Sequence, residues 1–306
     1  LEDLGFRADL SGFRSAHRDF VSRVLADGPA PVEPDHRERS IVLDQVEKLG
    51  EWCLFGVRHL GEAATFLLLL LETLFLNLVM PWRFRFGVMV ANMYRAGVTA
   101  TPIVSLMAFL ICIVLAYQGA TQLGRFGAEI FTINLTAVAL LREMGVMLTA
   151  VLVAGRSGSA FAAEIGTMKL NEEIDAMQTM GLDPYEVLVL PRVVAMVVML
   201  PLLTLLADLV GLAGGALSAY LLLDMPLEPY LVQVRAAITP WTFWVGMIKA
   251  PVFAFLIATT GTFWGMRVVG SAESVGRSTT VAVVQSIFMV IAADAAFSVV
   301  FTKLGI

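Results

Sequence analysis

Ionisable residues inside apolar runs are the feature of this sequence that could carry chemistry. Arg142 and Glu143 are adjacent in one run, Lys249 interrupts a later run, and Asp294 interrupts the last. A charge at the centre of a bilayer costs at least about 2.5–3.5 kcal/mol, so each must face protein, water or a polar ligand. Adjacent helical residues point about 100° apart, so we expect Arg142 and Glu143 not to pair with each other. Glu143 then needs other polar partners.

Glu143 has two interpretations. In the first it contributes to a polar floor for an amphiphilic substrate, and in the second it belongs to an ion-pair network that joins helices. Lys249 and Asp294 are candidates for neutralising each other across two runs. A third interpretation makes Glu143, Lys249 and Asp294 an ion or proton relay, as in a self-contained secondary transporter.

The composition is that of an integral membrane protein. Of the 306 residues, 58% are hydrophobic and 15% are charged, whereas a typical soluble domain is about 25% charged. The mean hydropathy is +0.79. A net charge of −5 gives no sign of nucleic-acid binding. The two cysteines, Cys53 and Cys112, match neither a disulfide framework nor a metal-ligand spacing.

The sequence contains no catalytic motif that we recognise. It has no G-x-x-x-x-G-K-[ST], so it binds no ATP through a P-loop, and it has no H-E-x-x-H zinc motif. We therefore expect a chain without enzymatic activity, metal or cofactor of its own.

Five apolar runs are long enough to cross the hydrocarbon, which takes about 20 helical residues. Backbone polar groups in a bilayer need internal partners, so these runs are helices and not open strands. They are residues 98–118, 130–154, 187–223, 240–264 and 281–304. The predicted fold is an all-α integral membrane protein with an N-terminal interfacial elbow helix, five transmembrane helices and a cytoplasmic coupling helix.

Residues 41–97 precede the spans and are predicted to form the interfacial elbow helices. Within them, residues 64–80 either lie in the interface or cross the membrane. Tryptophan and basic residues such as Trp52, Arg58 and Trp82 favour the interface. Residues 98–306 then form the five-span domain.

Positive charges favour a cytoplasmic N-terminus. Residues 1–95 hold eleven Lys and Arg, whereas the loops assigned to the outside hold only Arg125 and Arg235. By the positive-inside rule, the loop between the second and third spans is cytoplasmic.

Residues 1–40 differ in composition from all that follows. Phe13, Ala16, Phe20 and Val24 recur at helical spacing, and a proline-rich stretch at 28–34 follows them. This stretch is either the end of a small soluble domain with its linker or a disordered leader.

A polar, acidic helix joins the second and third spans. The run of small residues at 154–166 permits another backbone to come close, within the chain or across a dimer seam. The helix at 171–180 carries Ile174, Met177 and Met180 on one apolar edge, and Gly181 can end it as a C-cap. A helix of this kind suits docking in a groove of a partner, and the alternative is a solvated loop helix.

The motifs around this helix resemble those of the MlaE family of permeases. They are LLREMG at 140–145, AGRSGSAFAAEIGTM at 154–168, MQTMGLDP at 177–184 and LPR at 190–192, with YQG at 117–119. The resemblance implies a permease subunit of a bacterial ABC system that moves phospholipid or another lipid in the cell envelope. Neither the lipid nor the direction of transport can be read from the sequence.

The resemblance also implies partners. It implies a homodimer in the inner membrane, a separate ABC ATPase that binds the ATP and Mg²⁺, and a periplasmic MCE-domain protein that forms a hexameric ring. A STAS-domain protein often contacts the ATPase in such systems and is fused to some of the permeases. Residues 1–40 resemble the end of such a domain.

The resemblance finally implies two sets of site residues. A lipid pocket at the dimer interface, lined by the first two spans, corresponds to Tyr117, Gln118, Leu141, Arg142 and Glu143. The helix that couples to the ATPase corresponds to Asn171, Glu172, Asp175, Met177, Met180 and Gly181.

Overall fold

The computed structural model describes residues 61–77 and 86–305. The predictions for residues 1–60, including the soluble-domain end and the first part of the elbow, lie outside the described residues. Residues 61–77 are helical, and the described part of the chain contains no strand. The interfacial position of residues 61–77 stays a prediction.

Five helical runs are long and apolar enough to span a membrane, which confirms the predicted fold class. We number them as the first to fifth spans: Phe86–Gly124, Phe131–Leu170, Tyr185–Leu223, Pro240–Met266 and Ala272–Lys303. Two shorter helices, Glu173–Thr179 and Leu227–Ala237, lie in the connections before and after the third span.

Three of the spans contain more than one kind of helix. The first consists of Phe86–Ala96, a 3-10 turn at Val98–Ala100 and Thr101–Gly124. The second alternates α-helices at Phe131–Ala139, Gly145–Val153 and Ser159–Leu170 with π-helical segments at Leu140–Met144 and Ala154–Gly158. The third begins with a π-helical segment, Tyr185–Val189, and continues as Leu190–Leu223 through Pro201.

Three span boundaries differ clearly from those predicted. The first span begins at Phe86 rather than at residue 98, the second ends at Leu170 rather than at residue 154, and the fifth begins at Ala272 rather than at residue 281. The sequence after residue 154 is rich in alanine, a strong helix former, and Phe161, Ala162 and Ile165 are buried there. Polarity therefore marks where the helix leaves the hydrocarbon and not where it ends.

The second, third and fourth spans form the core of the described unit. About half of the most apolar window of each is buried, at 50%, whereas the share falls to 22% in the first span and 11% in the fifth. Val146, Leu200, Phe253 and Ile257 are central members of the main apolar cluster. The first and fifth spans are therefore the peripheral helices of a single chain.

Glycines set how closely the second and fourth spans approach. A Cβ atom on Gly246 would lie 2.3 Å from the carbonyl oxygen of Leu141, and one on Gly261 would lie 2.6 Å from that of Gly158. In both cases the added Cβ would meet a backbone oxygen, which cannot move aside as a flexible side chain can, so any side chain there would push the helices apart. Packing inside the chain thus explains part of the small-residue run, and a dimer seam stays a prediction.

The helix Leu227–Ala237 is fixed to the third span by Tyr230. Its hydroxyl donates a hydrogen bond to the Leu212 carbonyl oxygen at 2.9 Å. Burial raises the pKa of Tyr230 well above its usual value, and the nearby Cys112 raises it further. The hydroxyl therefore stays protonated and remains a donor.

Candidate functional site

A cluster of charged and polar side chains joins three spans at the position predicted from Glu143. The Lys249 ammonium donates to Glu143 Oε2 at 2.5 Å and to Asp294 Oδ1 at 2.9 Å. The Ser298 hydroxyl donates to Glu143 Oε1 at 3.1 Å. We call these four residues the charge cluster. The predicted neutralisation of Lys249 by Asp294 is confirmed, and Glu143 has the additional polar partners that it needs.

Burial within the charge cluster is uneven. The Lys249 side chain is 0% exposed, whereas that of Glu143 is 27% exposed and that of Asp294 is 16% exposed. Two carboxylates thus share one buried ammonium, and one of them reaches an open surface. A buried ammonium needs such partners because its desolvation is costly.

Arg142 also approaches Glu143, contrary to the prediction that the two would not pair. Its Nε atom lies 3.8 Å from Glu143 Oε1, and its side chain is 28% exposed. Both residues lie in the π-helical segment Leu140–Met144. A π-helix is wider than an α-helix and turns less per residue, so neighbouring long side chains come closer together. With Arg142 included, two positive and two negative groups balance.

The chain positions Lys249 through a glycine one turn earlier. Gly246 permits the fourth span to touch the Leu141 carbonyl. Residues three apart lie on the same helical face, so Lys249 faces the same segment of the second span. The close approach of Gly246 to Leu141 therefore places the Lys249 ammonium next to Glu143.

The predicted lipid-lining residues do not all come together within one chain. Leu141 is buried, next to the partly exposed Arg142 and Glu143. Tyr117 and Gln118 are exposed on the first span. No hydrogen bond or ion pair within residues 61–77 and 86–305 joins Tyr117 or Gln118 to Glu143.

Two polar residues near the cluster were not identified from the sequence. Ser298 contacts Glu143, but a serine in an apolar helix gives no signal by itself. Asp208 is 2% exposed, and its Oδ1 has no hydrogen-bond partner among the described residues. That oxygen lies against Gly145, where a Cβ would be 2.0 Å away. The sequence did offer a signal for Asp208, because it is the single acidic residue in the apolar run at 187–223.

The polar helix between the second and third spans is shorter than predicted, at Glu173–Thr179 rather than 171–180. Gly181 ends it with φ of 76°, as predicted. The Leu182 amide donates to the Met177 carbonyl at 3.0 Å, and the Gly181 amide donates to that of Gln178 at 3.0 Å. These two bonds form a Schellman motif, which uses a left-handed residue at this position.

Only one end of the predicted apolar edge of this helix faces outward. Ile174 is 1% exposed and packs with Ile165 and Leu188. Met177 is partly buried against the same cluster, whereas Met180 is 68% exposed. The outward surface is therefore acidic with one exposed methionine, and its docking to a partner stays a prediction.

These features define a multi-pass helical membrane protein with a charged site inside its spans. Within residues 61–77 and 86–305, no group of three or more His, Cys, Asp and Glu is placed to hold a metal ion. Comparison with known proteins identifies the family of membrane proteins to which the chain belongs. Residues 89–300 match the family model described as "Permease MlaE".

Relatives from bacteria and a plant support the same assignment. A protein of Rickettsia bellii named "Probable ABC transporter permease protein" is 34% identical over 71% of this chain and 84% of its own. A Synechocystis protein named as a probable ABC transporter permease is 38% identical over 65% of this chain and 76% of its own. The Arabidopsis thaliana "Protein TRIGALACTOSYLDIACYLGLYCEROL 1, chloroplastic" is 34% identical over 65% and 57%. The chain belongs to the MlaE permease family and is a membrane transport subunit.

Proposed function

We propose that this permease moves phospholipid or another lipid between the inner membrane and a periplasmic MCE-domain protein. A separate ABC ATPase supplies the energy, and two copies of the chain form the working permease. The N-terminus is cytoplasmic in this proposal, which places the helix Glu173–Thr179 on the ATPase side.

The partial exposure of Glu143 carries the proposal. Arg142 and Glu143 are 28% and 27% exposed in a single chain, and they lie within the second span. Charged groups at that depth are unfavourable against lipid tails. The surface around them therefore needs a polar cover. A second copy of the chain that encloses a lipid head group against Glu143 meets this need.

Two further observations support this reading. The Arabidopsis relative is named after a glycolipid, trigalactosyldiacylglycerol, and the bacterial relatives are named as ABC transporter permeases. In the proposal, the lipid pocket forms between the two copies, because Tyr117 and Gln118 are exposed on the peripheral first span. In that pocket Tyr117 and Gln118 lie beside Leu141, Arg142 and Glu143.

The proposed ATPase contact is the polar helix and its ends. Met180 is exposed at one end, and a methionine adapts to an irregular partner surface. Asp175 is held by Lys169 at 2.7 Å, which keeps the acidic face ordered. The residues assigned to this contact are Asn171, Glu172, Asp175, Met177, Met180 and Gly181.

A second candidate is a self-contained secondary transporter. It is favoured by the contact of Lys249 with both Glu143 and Asp294, since a proton could pass between two carboxylates through one ammonium. In that case an ion gradient alone would drive transport.

Reconstitution separates the two candidates. Liposomes receive either the chain alone with a pH gradient or the chain with its ATPase and ATP, and a fluorescent phospholipid reports movement between leaflets or to an acceptor protein. We expect movement only with ATPase and ATP. Movement by the chain alone, driven by the gradient and abolished in Asp294→Asn, would establish the secondary transporter.

A further inference from the structure

Two adjoining cavities open beside the first and second spans. Their volumes are about 270 Å³ and 480 Å³, and both are lined by Arg95 and Glu164. Arg156 lines the first cavity and Arg192 the second. We call these four residues and the space between them the arginine pocket. It lies apart from the charge cluster and shares no residue with it.

Arg192 is a fixed donor in this pocket. Its guanidinium donates to Glu164 Oε2 at 3.0 Å and to the Leu188 carbonyl at 2.9 Å, and it lies over the Phe161 ring. The residue is 7% exposed, yet its Nε has no hydrogen-bond partner among the described residues. A buried donor without an acceptor is costly, and the two bonds to Glu164 and Leu188 hold the rest of the guanidinium in place.

The charges of the pocket are unbalanced. Its single carboxylate, Glu164, is already held by Arg192. Arg95 and Arg156 are exposed and form no ion pair with any described acidic residue. Three guanidinium groups therefore face one carboxylate, and two positive charges remain uncompensated. Arginine is the side chain best suited to bind phosphate, through two parallel hydrogen bonds.

The depth of the pocket matches the head-group layer. Arg156 is about 25 residues from Phe131 at the start of the second span. At 1.5 Å per residue this is about 37 Å, slightly more than the roughly 30 Å of hydrocarbon. Arg95 lies near the start of the first span and lines the same cavity. If Phe131 marks the far edge of the hydrocarbon, we expect the guanidinium groups of Arg95 and Arg156 at the level of the lipid phosphates.

We propose that the arginine pocket binds the phosphate of an anionic lipid from the adjoining leaflet, as a site separate from the charge cluster. The proposal deepens the proposed function and rests on it, because it specifies a phosphate-bearing lipid and a place where this lipid binds. In the proposed orientation the leaflet is the cytoplasmic one. Phosphate oxygens are acceptors that the exposed guanidinium groups of Arg95 and Arg156 can bind.

Binding of radiolabelled phosphatidylglycerol to the full-length protein in mixed micelles tests this site. We compare the parent protein with Arg95→Gln, Arg156→Gln and the double variant. Arg192 stays unchanged because it supports the fold. Arg125→Gln is the matched control, since Arg125 is an exposed arginine after the other end of the first span. Diacylglycerol, which has the tails but no phosphate, and inorganic phosphate serve as competitors.

We expect about a tenfold loss of affinity in each single variant and a larger loss in the double variant, since each loses a charge-assisted hydrogen bond. Arg125→Gln should bind like the parent, and neither competitor should displace the lipid. Equal binding by the double variant and the parent overturns the proposal. Displacement by millimolar inorganic phosphate overturns it too, because the site would then bind free anions.

ATP-driven lipid movement, measured on the same preparations, separates this proposal from the proposed function. If the parent protein moves lipid and the double variant binds phosphatidylglycerol normally, the arginine pocket is refuted as a lipid site and the proposed transport function stands. A parent protein that binds phosphatidylglycerol through the arginines but moves no lipid with ATP refutes the function and keeps the site as a lipid-binding site.

Discussion

The Lys249 ammonium lies 2.5 Å from Glu143 Oε2, a contact between residues 106 positions apart in the chain. It joins the fourth span to the second, and the same ammonium reaches the fifth span through Asp294. Lysine is fully buried here while Glu143 is partly open. Lys249 is therefore the structural centre of the cluster, and Glu143 is the member that can meet a ligand.

Replacing Lys249 with Met tests this division. Methionine keeps most of the volume but removes the ammonium that Glu143 and Asp294 share. Asp294 then loses its ion pair with Lys249, and Glu143 keeps only the more distant Arg142. Removing one partner of a buried ion pair typically costs about 3–5 kcal/mol, and we expect the lower end because Glu143 is partly exposed. Thermal or denaturant unfolding of the purified protein measures the loss.

The matched control for Lys249→Met neutralises all three charges. Glu143→Gln and Asp294→Asn combined with Lys249→Met should recover much of the lost stability, because no carboxylate is then left facing the position of the missing ammonium. Arg142 loses its contact with Glu143 in this variant, but its side chain is 28% exposed. If Lys249→Met alone melts like the parent, the ion pairs contribute little and the cluster does not hold the spans together.

Gly246→Ala and Gly261→Ala are expected to destabilise the contact between the second and fourth spans. The added Cβ would meet backbone oxygens at 2.3 Å and 2.6 Å, and overpacking of this kind typically costs about 1–3 kcal/mol. Gly276→Ala is the control, because nothing lies within 4 Å of its Cβ position. Alanine there should be neutral or stabilising by up to about 1 kcal/mol. If Gly246→Ala or Gly261→Ala is as stable as Gly276→Ala, the close packing at that glycine is contradicted.

The sequence predicted the number of spans and the neutralisation of Lys249 by Asp294 because hydropathy and the cost of intramembrane charge act locally. It did not predict that Arg142 approaches Glu143, since that depends on a π-helical segment that periodicity does not reveal. Ser298 and Asp208 were missed because their environments come from helices distant in sequence. The end of the polar helix at Gly181 was predictable, but the inward direction of Ile174 was not.

Met180→Arg is predicted to detach the ATPase without affecting the fold. Met180 is 68% exposed, so a long basic side chain fits there without disturbing the fold. A charged group is, however, unfavourable against an ATPase surface that binds the apolar methionine. Co-purification of the ATPase should fall, while the melting temperature of the permease should stay within a degree or so of the parent. Ile174→Ala is the contrasting variant, because it empties a buried position and should lower stability by about 2–5 kcal/mol. Full ATPase recovery with Met180→Arg would place the coupling contact elsewhere.

Glu143→Gln is predicted to alter lipid binding more than stability. The Gln carbonyl can still accept a hydrogen bond from Lys249, and the ammonium keeps Asp294 at 2.9 Å as its counter-charge. The fold should therefore lose about 1.5–3 kcal/mol, comparable to one hydrogen bond to a charged group. The group that changes most is the exposed carboxylate, which is the part available to a lipid head group.

Two further variants show whether Glu143 acts on lipid or on the scaffold. Ser298→Ala removes the 3.1 Å hydrogen bond to Glu143 Oε1 but no charge, so lipid occupancy should stay near that of the parent. Glu143→Lys adds a cation beside Arg142 and Lys249 and should lower both lipid binding and stability. It therefore does not distinguish a role in lipid binding from a role in the scaffold. Bound lipid and melting temperature are measured on the same purified Glu143→Gln protein. A large fall in melting temperature with unchanged bound lipid would assign Glu143 to the scaffold, because the loss would then come from its contacts inside the chain, chiefly the ion pair with Lys249.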